Sequence, residues 1–226
     1  LALAPWAARG YECIAFAHSK KPMDFYERTE NGVRRIVCDL ESDLRGVVDE
    51  YPLWGRVAFA CAAPPSRDLS VAGARHWKRK RKRDPLFQER AVELVRTIRN
   101  LFEEWECPFY IQNPASSKLC TLWRDPNYAY QPCDYGGYLD ADEQHPVFPT
   151  KIPAQDAYTQ RQGLWVGGGF RMPLPKPVQP QWKTFVSKGK VRRMSPVLYA
   201  SWSSRSARTL TPRGFSRALC NRLNGV

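Results

Sequence analysis

Ala63-Pro64-Pro65-Ser66-Arg67-Asp68 follows an apolar run, Val57 to Cys61, and Tyr110-Ile111-Gln112-Asn113-Pro114 continues a second apolar run that starts at Pro108. Each reads as a buried strand stopped at its carboxyl end by a proline-marked loop. Between them, Asp84-Pro85 signals a helix start, since aspartate suits the N-cap and proline the first helical position. Ala91, Leu94, Val95, Ile98, Leu101 and Phe102 then recur at helical spacing and predict an amphipathic helix from Pro85 to Glu106. Upstream, Leu3, Trp6 and Ala7 give a short helical face closed by Gly10, and Tyr11 to Ala17, Val33 to Cys38 and Arg56 to Ala62 read as strands. Strands alternating with helices imply an α/β fold with a mostly parallel, doubly wound sheet and helices on both faces.

Beyond Asn113 the character changes: proline, glycine and aromatic residues rise and strands become short. Leu164 to Met172 reads as a strand beside the Gly167-Gly168-Gly169 turn. With no lysine following, that turn does not read as a phosphate cradle. Pro173 to Pro180 reads as an extended connection, and Lys183 to Ser206 as basic and poorly periodic. Thr211-Pro212 starts a last helix through Leu223. The expected organisation is a core over residues 1–114, an irregular region over 115–210, and a terminal helix over 211–226 that packs back on the core.

Composition narrows the function classes. No apolar run approaches the roughly 20 residues needed to span a bilayer. Leu1 to Ala8, interrupted by Pro5 and lacking a basic start, does not read as a signal peptide. Seven scattered cysteines without C-x-x-C spacing read as reduced thiols, so a cytoplasmic setting is expected. No metal is expected: three dispersed histidines do not make a triad, and Cys120, Cys133 and His145 read as core or loop groups. The net charge of +13 at pH 7 predicts attraction to a polyanion, most simply nucleic acid. Lys78-Arg79-Lys80-Arg81-Lys82-Arg83 concentrates six cations a dozen residues after Ser66. Such a block does not pack in a core and suits phosphate contacts. Ser201 to Ser206, with Arg205 and Arg208, reads either as a second phosphate-contact stretch or as disorder.

The two opening segments resemble the Pro-Pro-Cys loop and the Glu-Asn-Pro segment of the DNA cytosine-5 methyltransferases, especially their compact phage and prophage forms. Pro5-Trp6-Ala7 through Gly10-Tyr11-Glu12, the stretch Ser70 to Trp77, Leu122-Trp123-Arg124, Gln131 to Gly136, Thr159 to Trp165, and Thr211-Pro212-Arg213-Gly214-Phe215 are similar to further segments of that group, in the same order. The resemblance implies a Rossmann-like methyltransferase core with S-adenosylmethionine as cofactor. It implies Asp39 beside the adenine, His18 at the position facing the ribose, and Pro64 and Pro65 lining the cofactor side of the reactive loop. It implies a DNA-binding face formed by Arg67, Arg75, His76, Lys78, Arg79, Lys80, Arg81, Lys82, Arg83 and Asn113, and it makes residues 115–210 a stand-in for a target-recognition region. Arg67 and Arg75 either approach a flipped base or its phosphate or form structural salt bridges. His76 or Trp77 either wedges into the vacated stack or belongs to the core.

Four departures fall on the chemistry. Ser66 stands where the family has its cysteine and Gln112 where it has its glutamate. His18 stands where an acid normally accepts two ribose hydroxyls; a neutral imidazole accepts one hydrogen bond. The family's opening strand and Gly-rich cofactor turn have no counterpart in this sequence. A serine hydroxyl is un-ionised near neutral pH and needs a base, whereas a cysteine titrates near 8.5. Glutamine keeps the shape of glutamate but cannot give up a proton as an acid. The expected function is a DNA-binding protein of this family with altered or lost methyl transfer. The alternatives are an active base-modifying enzyme on the same scaffold, or an interaction protein with a vestigial cleft.

Overall fold

The computed structural model describes residues 2–19, 21, 26–51, 53, 55–200 and 210–225. The chain opens with α1 (Ala4–Ala7), β1 (Cys13–His18), β2 (Tyr26–Glu30), β3 (Val33–Cys38), α2 (Leu40–Asp49) and β4 (Ala60–Ala62). A 3-10 turn over Val71–His76 leads into α3 (Trp77–Arg83), then α4 (Phe87–Glu104), β5 (Phe109–Pro114), α5 (Leu119–Leu122) and β6 (Tyr128–Tyr130). After 3-10 turns at Pro132–Tyr138 and Ala154–Asp156 come β7 (Gln162–Gly167), β8 (Lys183–Ser187), β9 (Lys190–Met194), α6 (Pro196–Ala200) and α7 (Arg213–Leu223).

The mostly parallel Rossmann-like sheet expected from the sequence is not what forms. The described strands make three separate small sheets, ordered β1-β3-β2, β4-β5-β7-β6 and β8-β9. Only β1 with β3 and β4 with β5 pair in parallel; every other pair is antiparallel. Two local causes account for the difference. Asn31 and Gly32 take φ of 51° and 73°, the left-handed pair of a tight hairpin, so β2 folds straight back onto β3. After β5 the chain runs through the one-turn helix α5, the strand β6 and two 3-10 turns and returns as β7, which pairs antiparallel with β5, with no long crossover helix to bring it back parallel.

The four-stranded sheet is covered on both faces, and the strand pleat sorts its side chains. Phe109, Ile111 and Trp165 point to one face, where Val92, Val95, Ile98 and Phe102 of α4 bury them. Tyr110, Tyr130 and Leu164 point to the other, against Trp6, Phe215 and Leu219. Helix α4 is two residues shorter at each end than its apolar pattern predicts. Asp84 accepts a hydrogen bond from Leu86 N but is not the cap, because the residues before it form the separate helix α3. Strand β7 ends at the glycine turn, so the strand expected as far as Met172 stops at Gly167. Gly168, with φ of 60°, closes so tightly on Cys107 O that a Cβ would overlap it.

Helix α7 is pinned at its start. Gly214 N donates to Asp156 Oδ2 at 3.0 Å, and Glu143 accepts from both Arg213 and Arg217. A third core, of Ile152, Tyr158 and Val197 with Phe148 and Leu210 against them, roots α6 and hence the β8-β9 hairpin. Residues 201–209, which include the expected stretch with Arg205 and Arg208, lie outside the described residues.

Candidate functional site

Parallel pairing of β4 with β5 sets Ala62 opposite Ile111, so the carboxyl ends of both strands lie side by side. The loop from Ala63 leaves β4 there, and Asn113 Nδ2 donates to Pro64 O at 3.3 Å. Pro64 is buried, Ser66 half-buried, and Pro65 and Arg67 are exposed. The loop then turns: Leu69 N and Ser70 N both donate to Ser66 O, at 3.0 and 2.7 Å. Three braces hold it. Leu69 is 1% exposed in the α4 core, Gln88 Nε2 donates to Asp68 O at 3.0 Å, and Lys118 N donates to Leu69 O at 2.7 Å. Gly73 completes the closure, because a Cβ at that position would overlap Arg67 O. The loop is fixed in shape by its own core.

The six-cation block folds as most of α3. Lys80 forms an ion pair with Asp68 and lies over the Phe87 ring, and Arg81 donates to Gln88 Oε1 at 3.2 Å. These contacts orient the helix. At about 100° per residue, Lys78, Arg79, Lys82 and Arg83 then share the opposite side, and all four are exposed. Arg75 is exposed and donates to His76 Nε2 at 2.9 Å. Trp77 is half-buried, with an enclosed, unpartnered Nε1, so it sits against the fold and does not project as a wedge. The exposed apolar side chain on this rim is Val71, at 65% exposure, which has no sequence signal beyond following Ser70.

The reactive positions are not assembled for covalent chemistry. No described carboxylate, imidazole or amine hydrogen-bonds the Ser66 hydroxyl, and Asp68, the nearest carboxylate in sequence, is held by Lys80. None of the seven cysteines substitutes for the absent thiolate. Burial pushes every one of their thiols up, Cys107 to about 11. Gln112 is 6% exposed and lies on the other face of β5 from Asn113, where its Oε1 accepts from Tyr130 OH at 3.0 Å. Tyr130 is stacked on Phe215 with ring centroids 4.2 Å apart, so the Gln112 carbonyl end is fixed within the core, on the face of β5 away from the Pro64 loop. Tyr130 is a site residue missed in the sequence, although the alternation of Tyr128-Ala129-Tyr130 suits a strand with one face inward.

His18 and Asp39 do come together, at the carboxyl ends of the parallel pair β1 and β3. His18 Nδ1 lies 3.4 Å from Asp39 Oδ1 and His18 Nε2 lies 3.5 Å from Glu41 Oε1, while Asp39 Oδ1 also accepts from Glu41 N. The imidazole thus faces two carboxylates where the resemblance implies a ribose. The Gly167–Gly169 turn sits at the start of β5, by Cys107, at the opposite end of that strand from Gln112. With Asp39 and Glu41 turned toward His18, this arrangement does not fit the ribose of S-adenosylmethionine. Among the described residues no cluster of three or more His, Cys, Asp or Glu side chains is placed to hold a metal, and no helix is long and apolar enough to cross a membrane.

No family model, curated protein or solved structure matches the chain.

Proposed function

We propose that the protein binds DNA through the face formed by the Pro64–Asp68 loop and helix α3, as a relative of the DNA cytosine-5 methyltransferases whose methyl transfer is altered or lost. The observation that carries this reading is the Asp68–Lys80 ion pair. It fixes the cationic helix to the loop and takes up the nearest carboxylate, so Lys78, Arg79, Lys82 and Arg83 face outward beside a serine without a base. Four aligned cations suit backbone phosphates, which give affinity and salt dependence without sequence choice. Gln112, an amide held by Tyr130 inside the core, has no acidic proton to give and so does not support methyl transfer.

The test is a salt titration of binding to a labelled DNA duplex, followed by incubation with DNA and S-adenosylmethionine and mass spectrometry of the digested nucleosides. Binding that weakens linearly in log salt is expected, with no 5-methylcytosine. Replacing Lys78, Arg79, Lys82 and Arg83 by Gln lowers the slope by about 0.9 per lost phosphate contact. Failure to bind at low salt overturns the DNA reading. A 5-methylcytosine product overturns the claim about Ser66 and Gln112, and the paired change Ser66→Cys with Gln112→Glu asks whether the rest of the site still supports transfer.

A further inference from the structure

The charge of this chain is divided more sharply than its hexacationic block suggests. Of the 35 Lys and Arg residues, 13 follow Asp156, and no Asp or Glu follows it. The first 156 residues hold the other 22 cations and all 22 acids. The whole net charge of +13 therefore belongs to residues 157–226, and α3 lies in the half that is neutral overall.

Within the basic half, one element stands out from the body. Strands β8 and β9 form a two-stranded antiparallel ribbon whose two-residue turn, Lys188-Gly189, takes φ of 51° and 71°. The ribbon carries Lys183, Lys188, Lys190, Arg192 and Arg193 with no acid among them. Register divides it into two faces. Phe185, with its partner Arg192, lies on the inner one, where the Phe185 ring meets Tyr199 of α6 at 5.8 Å. Thr184 with Arg193, and Val186 with Val191, lie on the outer one. Val186 and Val191 are 71% and 72% exposed. No described side chain hydrogen-bonds or ion-pairs with these four residues. A two-stranded hairpin is marginal alone in water, and an apolar pair ringed by cations is a poor solvent face. At the root, a cleft of about 280 Å³ is lined by Lys151, Trp182 and Lys183, with Trp182 46% exposed.

We propose that the β8-β9 ribbon is a second DNA-contacting element that lays its Thr184–Val186–Val191–Arg193 face into the major groove of a duplex. The proposal rests on the DNA-binding reading above and adds a second surface to it. The occupant follows from charge: five cations with no acid repel a basic surface, gain nothing from a neutral one and are best met by a polyanion, and an acidic protein offers no repeating phosphates to both edges. A two-stranded ribbon fits the width of the major groove, where a thymine methyl suits the valines and a guanine edge suits Arg193. Lys188, Lys190 and Arg192 at the edges and tip suit the flanking phosphates.

The experiment compares three proteins on a labelled mixed-sequence duplex over a range of salt. These are the unaltered protein, a variant with Lys190→Gln, Arg192→Gln and Arg193→Gln, and a variant with Val186→Thr and Val191→Thr. Circular dichroism checks folding. The cationic variant is expected to lower the salt slope by roughly 2, at about 0.9 for each of the two phosphate contacts at Lys190 and Arg192, and to weaken binding at least about 10-fold. A duplex methylated at guanine N7 is expected to bind the unaltered protein less well and to lose that discrimination in the cationic variant, which lacks Arg193, while a duplex with uracil in place of thymine is expected to bind the unaltered protein less well and to lose that discrimination in the valine variant. If the unaltered protein does not bind, both readings fall. If it binds and the cationic variant keeps its slope, the ribbon proposal alone falls. If the slope drops but neither N7 methylation nor the valine change matters, the ribbon touches backbone only and the groove assignment is overturned.

Discussion

The Pro64–Asp68 loop and the β8-β9 ribbon carry similar chemistry on opposite mechanical terms. The loop is backed by a core: Leu69 is 1% exposed, and Gln88 and Lys118 hydrogen-bond its carbonyls. The ribbon is held at its root by Phe185 on Tyr199 and by Val197 in the third core, with its outer face open. A preorganised surface binds without paying to order itself, whereas an open ribbon adapts to the groove it enters. The loop's charge is also offset locally, by Asp68 and the other acids of the first 156 residues, while the ribbon sits in the unbalanced half. Under the DNA-binding proposal this difference divides the labour: the rigid loop sets register and the ribbon adds affinity and readout.

The strongest way to break this comparison is through Leu69. Leu69→Ala removes a fully buried side chain and is expected to cost about 3 kcal/mol, within the range for buried leucines. Urea denaturation measures it. A loss under about 1 kcal/mol would show that the loop is not anchored through the core. The matching change on the ribbon, Val191→Ala at 72% exposure, is expected to stay within about 0.5 kcal/mol.

A pH titration separates the two regions next. His145 is 2% exposed, and its Nδ1 accepts hydrogen bonds from Val147 N and Phe148 N. Burial first, and Arg213 second, lower its pKa from 6.5 to about 4. The unfolded chain therefore takes up a proton below about pH 6.5 that the fold resists. Stability is full above that pH and is lost progressively as pH falls toward 4, on the order of 2 kcal/mol. Phe148 packs on the core that roots the ribbon, so hydrogen exchange at pH 5 is expected to quicken around 145–158 and 196–200 before 66–73. His145→Asn keeps a turn acceptor without the titration and should flatten this pH dependence.

How much of this was legible follows the reach of each signal. The strand ends at Ala62 and Pro114, the apolar stripe of α4 and the start of α7 are local patterns, and the sequence carries them. Sheet order is not local. Glu30-Asn31-Gly32 is a hairpin signal that could have been read, yet the antiparallel return of β7 onto β5 depends on which strand finds which edge. The site divides the same way. Ser66 and Gln112 stand out by type and position, while Tyr130, Gln88 and Lys118 act across gaps of many residues that no spacing rule foretells. The ribbon was hidden for a further reason: Lys183 to Met194 is so basic that its period-2 pattern is masked, and only the register exposes the Val186–Val191 pair.

The smallest expected change is the one that isolates the ribbon. Gly189 has φ of 71° and nothing within 4 Å of where a Cβ would stand, so Gly189→Ala introduces backbone strain without a clash. Left-handed backbone costs an L-residue about 1 kcal/mol. Because the ribbon can open without unfolding the rest, that strain should scarcely move the global melting midpoint. It should instead raise amide exchange at Val186 and Val191 about fivefold, the factor that 1 kcal/mol implies. DNA affinity should scarcely fall and the salt slope should hold, since the cations remain and the closed ribbon stays the major state. A fall in global stability equal to the local strain would mean that the ribbon is part of the same cooperative unit as the loop. The contrast between a braced site and an open one would then not hold.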